Sequence, residues 1–170
     1  MADLAASRRA ALALFIVGVY LQIVEWVDLF PWNSIRNGNG QETVDLAMGV
    51  ATAALTAMLW RGWRIAAIAS TLAVTVWAWL QIQSWWIPYF SGASPGWARQ
   101  YEHWFGNTTS WLPRSVEHLP PDANHLVLHA LMAASLGLCL AASFSRAKQP
   151  DQLDNSMRPD VEFGNLGSSK

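Results

Sequence analysis

The chain is short of charge, of cysteine and of basic surface, and each shortage excludes something. Only 14% of its 170 residues are charged, whereas a soluble domain carries about 25%. Its formal net charge is -1, from 11 Lys and Arg against 12 Asp and Glu. Phosphate binding needs a basic surface, so no nucleic-acid partner is expected. The single cysteine, Cys139, can form neither an intramolecular disulfide nor a thiolate zinc site, and it leaves the redox compartment unread. It lies inside an apolar run and reads as a small buried hydrophobe. Phosphate-binding loops, nucleophile elbows and internal repeats are also missing, and no histidine stands near Cys139 to act as its base.

What remains is hydrophobic: 52% of the residues. Four apolar runs, near residues 10–27, 43–60, 65–83 and 125–144, have the roughly 20-residue length that crosses a ~30 Å hydrocarbon core. The first carries only Gln22 as a polar side chain between Ala11 and Val24, and the third only Ser and Thr between Ile65 and Leu80. A soluble helix of that size would show a charged face. The expected fold is therefore an all-α integral membrane protein, with four transmembrane helices in an antiparallel bundle over residues 1–148. A polar tail with two prolines, residues 149–170, is expected to be disordered and cytoplasmic.

Arg8, Arg9, Arg61, Arg64, Arg146 and Lys148 gather at one set of span ends, against Arg36, Arg99 and Arg114 at the other. The positive-inside rule then puts both termini in the cytoplasm, with the plasma (inner) membrane as the expected location. Ser7-Arg8-Arg9 resembles a twin-arginine export start, but no small-residue cleavage site follows, so the first run reads as a signal anchor. Spans two and three are joined only by residues 60–64 and form a tight hairpin. Asn37-Gly38-Asn39-Gly40 reads as a flexible turn, and residues 84–124 as a long outer loop. The eleven tryptophans map mostly to span ends, as an aromatic belt would.

Within the long loop, residues 94–106 read as a short interfacial amphipathic helix. Ser94 can cap it, Pro95 suits its first position, and Gly106 suits a left-handed end. Trp97, Tyr101, Trp104 and Phe105 share one face, with Arg99, Glu102 and His103 opposite. An anchor in the membrane interface is the more economical role, and a lid over a site the sharper one.

Polar residues are distributed unevenly by depth. Gln22, Glu25 and Asp28, Gln41, Glu42 and Asp45, Gln81 and Gln83, and Asp122, Asn124, His125 and His129 all lie toward the outer ends of their spans. Ionisable groups cost roughly 2.5–3.5 kcal/mol each at the centre of a spanning helix, so they face a bundle interior or a cavity. Glu25, Asp45 and His129 sit about one turn deep. Near the interface that cost falls, which weakens the inference for Asp28, Glu42 and Asp122.

His125 and His129, four residues apart, project from one helix face. With Glu25 and Asp45 they could make a His₂-carboxylate set suited to zinc or iron. The spacing lacks the glutamate of H-E-x-x-H, and an inter-helix hydrogen-bond network explains the same residues more simply. Bis-histidine haem has no second partner helix, since no histidine occurs in the other spans; a single-histidine haem stays open. His103 and His118 read as solvated loop residues.

Gly49, Ala53 and Ala57 form a small-residue stripe that suits packing within the chain, a homodimer seam or another membrane-protein partner. Asn107-Thr108-Thr109 fits the N-glycosylation pattern. The leading functional expectation is an outward-facing pocket for a metal or a small polar or lipid ligand. In it Glu25, Asp45 and Gln81 contact the ligand, Trp77, Trp85 and Trp86 wall it, and residues 97–105 cover it. The alternatives are an accessory or assembly subunit of a larger membrane complex, and a metal-dependent or acid/base enzyme acting on a lipid or quinone at the outer leaflet.

Overall fold

A computed structural model describes residues 3–34 and 42–145. The expectations for Arg36, Gln41, the Asn37–Gly40 turn, Arg146, Lys148 and the tail fall outside these residues, as does the side chain of Glu42. The described chain is helical: α1 Leu4–Trp26, α2 Glu42–Trp60, α3 Arg64–Gln81, a π-helical turn Ile82–Trp86, α4 Ile87–Ser91, α5 Pro95–Phe105 and α6 Ala123–Phe144. Four of its helical stretches are long and apolar enough to cross a membrane, namely Leu4–Trp26, Thr43–Trp60, Arg64–Ser91 and Ala123–Phe144.

Helix α1 starts six residues earlier than its apolar run, because Asp3 caps it by accepting from the Ala5 N–H at 2.9 Å. From Ser7 to Val24 its buried positions recur every three or four residues, so α1 has one continuous face for its neighbours. Against α2 that face is made very close by glycine. A Cβ on Gly18 would lie 2.7 Å from Thr52 Cγ2, and one on Gly49 would lie 2.8 Å from the Gln22 amide. At one end of this seam Ser7 Oγ donates to the Leu59 carbonyl (2.8 Å), and at the other Gln22 Nε2 donates to the Asp45 carbonyl (3.0 Å). The start of α1 thus lies beside the end of α2. Of the small-residue stripe, Gly49 serves this seam, whereas Ala53 and Ala57 are exposed.

The turn between α2 and α3 needs Gly62 at φ 74°, a left-handed conformation that L side chains avoid, and its N–H donates back to Leu59. Helix α6 closes the contacts by packing on both α1 and α3. Tyr20 donates to Asn124 Oδ1 at 2.8 Å, and the Thr71 and Ser143 hydroxyls bond at 3.1 Å. The apolar centre, with Ala10, Leu14, Leu59, Ala67, Val74 and Cys139, is built mostly of small side chains, so backbones approach closely. Cys139 is buried there, in keeping with its place in an apolar run.

The third apolar run ends later than its hydropathy suggests. The helix continues through the π turn to Ser91, so the long connection loses its first eight residues to helix. Pro88 offers no N–H to the turn before it, and the widened 82–86 turn is where the ladder adjusts. Beyond it, α5 forms where its capping signals place it: Ser94 accepts from the Trp97 N–H at 3.2 Å and Pro95 is its first residue. Gly106 corrects the expected ending. Its φ is -58°, in the right-handed region, and a Cβ there would sit 2.5 Å from the Glu102 carbonyl oxygen. Close approach, not a left-handed turn, requires glycine at that point.

Candidate functional site

At the end of the helices where α1 stops and α6 begins, residues 84–124 make a cap with a core of its own. Trp85, only 4% exposed, is its centre. Trp97, Tyr101 and Phe105 meet its rings at 5.5, 6.1 and 4.9 Å. The apolar face of α5 therefore turns onto Trp85, while Arg99, Gln100, Glu102 and His103 are exposed. Arg114 pairs with Glu102 and lies 5.1 Å over the Tyr101 ring. Burial pushes the Tyr101 phenol up to about 12, with Arg114 opposing and Asp122 adding to the shift. Backbone bonds at Thr109 tie the cap to its surroundings: its N–H donates to the Pro31 carbonyl of the first connection (2.8 Å), and its carbonyl accepts from the Ala123 N–H at the start of α6 (2.7 Å).

Asp122 anchors this arrangement. It is fully buried (0% exposed) and satisfied three times: Oδ1 accepts from the His125 N–H (2.9 Å) and from His125 Nδ1 (2.7 Å), and Oδ2 accepts from the Thr108 hydroxyl (3.0 Å). It is both the N-cap of α6 and the group that orients His125. The His125 ring lies against Trp85, centroids 3.9 Å apart, with its Nε2 edge turned away from Asp122.

His129, one turn deeper, is held at both nitrogens. The Trp86 indole donates to Nδ1 at 3.2 Å, so the proton is on Nε2, which donates to Gln81 Oε1 at 3.1 Å. This is an inter-helix hydrogen-bond network across α3, the π turn and α6. Among the described residues, no three His, Cys, Asp or Glu side chains gather in a grouping that could hold a metal ion. His125, His129, Glu25 and Asp45 thus do not form a four-ligand set in this conformation.

Beside the network lies a cavity of ≈ 720 Å³ between α1, α2, α3 and α6, roofed by α5. It falls within the roughly 300–1,000 Å³ range of small-molecule sites. Its deep part is apolar, reaching Leu14, Leu55 and Val74. The ionisable and amide groups are at the capped end, Glu25, Asn33, Asp45, Gln81, Asn124 and His125, while the Thr52 hydroxyl-bearing side chain lines a deeper part of the wall. Val44 on α2, and Val76 and Leu80 on α3, line the cavity yet are 56%, 59% and 55% exposed. The cavity therefore opens sideways between α2 and α3. Those two helices, although joined by a tight turn, touch far less than the pairs α1–α2, α1–α6 and α3–α6.

Of the residues singled out from the sequence, Glu25, Asp45, Gln81, Trp77, Trp85 and His125 line this cavity together. Trp86 and His129 do not line it; they brace its wall from behind through the contact with Gln81. Sequence reasoning missed Asn33, whose side chain donates to the Val24 carbonyl, and it missed Thr52 and Trp26 as wall residues, whereas Trp97, Trp104 and Phe105 lie over the cavity within the stretch expected to cover it. Trp97 Nε1 is buried with no acceptor among the described residues. A capping aspartate three residues before His125 was the one local signal available for the orienting role of Asp122.

Comparison with family models, with curated proteins and with solved structures gives no match to this chain.

Proposed function

We propose that this protein binds an amphipathic, lipid-like small molecule within the membrane. The observation that carries the reading is the ≈ 720 Å³ cavity, apolar at depth, polar at one end and open between α2 and α3. An apolar body would occupy the deep part, exchanging contacts with lipid tails for packing against Leu14, Leu55 and Val74. Its polar end would meet Glu25, Asp45, Gln81 and His125. A ligand already dissolved in the bilayer reaches such a site sideways, without crossing the cap.

In this reading the four long helices form an antiparallel transmembrane bundle with both termini cytoplasmic, in the plasma membrane. The cap then faces outward, and the exposed face of α5 rests in the membrane interface. Arg8, Arg9, Arg61 and Arg64 at the opposite end support that orientation, and Arg8 lies 5.3 Å over the Trp60 ring there.

The test is native mass spectrometry of the protein released from nanodiscs made with its own membrane lipids. One amphiphile retained per chain is expected. It should be lost from Ala51→Phe/Ala73→Phe, which fills two alanine positions of the wall, with helical content unchanged. An empty parent, or the same adduct in the filled variant, would refute the reading.

A further inference from the structure

Two hydrogen-bond chains end on the cavity wall, and the direction of each is fixed by the tryptophan that starts it. An indole N–H can only donate. In the first chain Trp86 donates to His129 Nδ1, so His129 Nε2 donates to Gln81 Oε1 and the glutamine oxygen is taken. In the second, Trp32 Nε1 donates to the Tyr20 oxygen at 3.3 Å, and Tyr20 donates to Asn124 Oδ1 at 2.8 Å, so the asparagine oxygen is taken likewise. What each chain leaves over is an amide NH₂ group. Two side chains that could accept or donate are thereby turned into donors alone.

Gln81 and Asn124 both line the capped end of the cavity. Their amide nitrogens have no acceptor among the described residues, yet neither is sealed off as Trp97 Nε1 is. Asn124 is only 4% exposed, and a donor so deeply buried calls for a partner. His125 supplies the opposite sense. Its Nδ1 faces Asp122 Oδ1 at 2.7 Å, an oxygen that also accepts from the His125 backbone N–H. The ring proton is therefore on Nδ1, and the neutral ring offers a lone pair at Nε2. No donor among the described residues meets that nitrogen. Glu25 and Asp45, at the same end, have partners of their own.

We infer that the ligand carries an uncharged hydroxyl head, whose oxygen accepts from the Gln81 and Asn124 amides and whose O–H donates to His125 Nε2. The inference rests on the cavity reading above and adds the chemistry of the head. A hydroxyl both accepts and donates, as this set of groups requires. An ether or a carboxylate only accepts and leaves His125 unmet; a quaternary ammonium does neither. The apolar body lies along Leu14, Leu55 and Val74, and the hydroxyl stops at the capped end.

The experiment compares three uncharged probes: hexadecan-1-ol, which accepts and donates, hexadecyl methyl ether, which only accepts, and octadecane, which does neither. Binding to the full chain in nanodiscs is corrected for partition into empty nanodiscs. The ether should bind about 3-fold tighter than the alkane, and the alcohol about 3-fold tighter again. Gln81→Glu and Asn124→Asp keep the oxygen that His129 or Tyr20 needs and replace the free NH₂ by an acceptor. Each should weaken the preference for ether over alkane, while His125→Phe should abolish that for alcohol over ether. Circular dichroism and a monodisperse elution report that the fold is kept, and Gln81→Met and Asn124→Leu serve if the acidic variants do not fold. Equal binding of all three probes by the parent would overturn the hydroxyl inference while the cavity reading survives. Alcohol and ether binding alike would overturn the role given to His125. Preferences undiminished in the variants would overturn the assignment to these side chains. Binding of no probe would overturn the cavity reading with the rest.

Discussion

Replacing Gly18 by alanine should loosen the contact between α1 and α2, against the usual direction of that exchange. In a helix interior, glycine to alanine is ordinarily stabilising by about 1 kcal/mol. At this position the new Cβ would lie 2.7 Å from Thr52 Cγ2, well inside the ~3.5–4.0 Å at which carbon atoms attract. Thr52 is buried, and its branched Cβ leaves little freedom to turn the methyl aside. Overpacking of this kind costs about 1–3 kcal/mol, so the net result is a loss of up to about 2 kcal/mol. In a Thr52→Ser background the obstructing methyl is gone, and the next atom, Cβ of residue 52, stands at an ordinary 3.4 Å. There the exchange should recover its gain of about 1 kcal/mol. The two backgrounds thus differ by about 1–3 kcal/mol, all of it coupling between positions 18 and 52. Apparent melting temperatures of the four proteins in one detergent read this out, at about 2–4 °C per kcal/mol for a chain of this size. If Gly18→Ala changes the melting temperature equally in both backgrounds, the seam is not packed as described.

Two further outcomes follow from the cap. Asp122→Ala removes an N-cap and leaves His125 Nδ1 without its acceptor, while the Thr108 hydroxyl keeps only the Phe105 carbonyl; it should cost about 2–3 kcal/mol, and hydrogen exchange should rise in the first turn of α6 ahead of the rest of that helix. Uniform exchange along α6 would contradict the anchoring role. The Tyr101 phenol, ordinarily at 10.0 and pushed up to about 12 by burial, favours its protonated form in the folded cap. Its contribution is therefore intact below pH 10 and is lost as pH climbs from 10 toward 12. Proteolysis within the cap should accelerate across that window in the parent, and distinctly less in Tyr101→Phe.

The capping signals explain why so much of the helical pattern was legible beforehand. Ser94 and Pro95 announce α5, Ser94 through a bond to the N–H three positions on; Asp122 caps α6 by the same geometry, but the apolar pattern starts that span only at residue 125. Gly62 marks the α2–α3 turn for an equally local reason, its φ of 74°. The π turn before Pro88 was not legible, because the apolar sequence through Ile82–Trp86 fits an α-helix as well. Glu25, Asp45 and His129 stood out by depth, as ionisable groups about one turn inside an apolar span, and His125 by its four-residue spacing to His129. Depth could group them, but it could not say which pairs touch.

The sequence by itself determined the class of solvent, the number of long apolar helices and most of their ends, because hydrophobic length and capping are properties of neighbouring residues. Tertiary structure decided the rest. Only packing could separate His125, turned toward the cavity and oriented by a buried Asp122, from His129, held at both nitrogens by Trp86 and Gln81. Only packing could set α2 apart from α3 and leave the cavity between them. Those outcomes depend on distances between helices, which are fixed where Gly18 meets Thr52, where Gly49 meets Gln22 and where Trp85 fills the cap. Such contacts join residues tens of positions apart, and no local pattern encodes them.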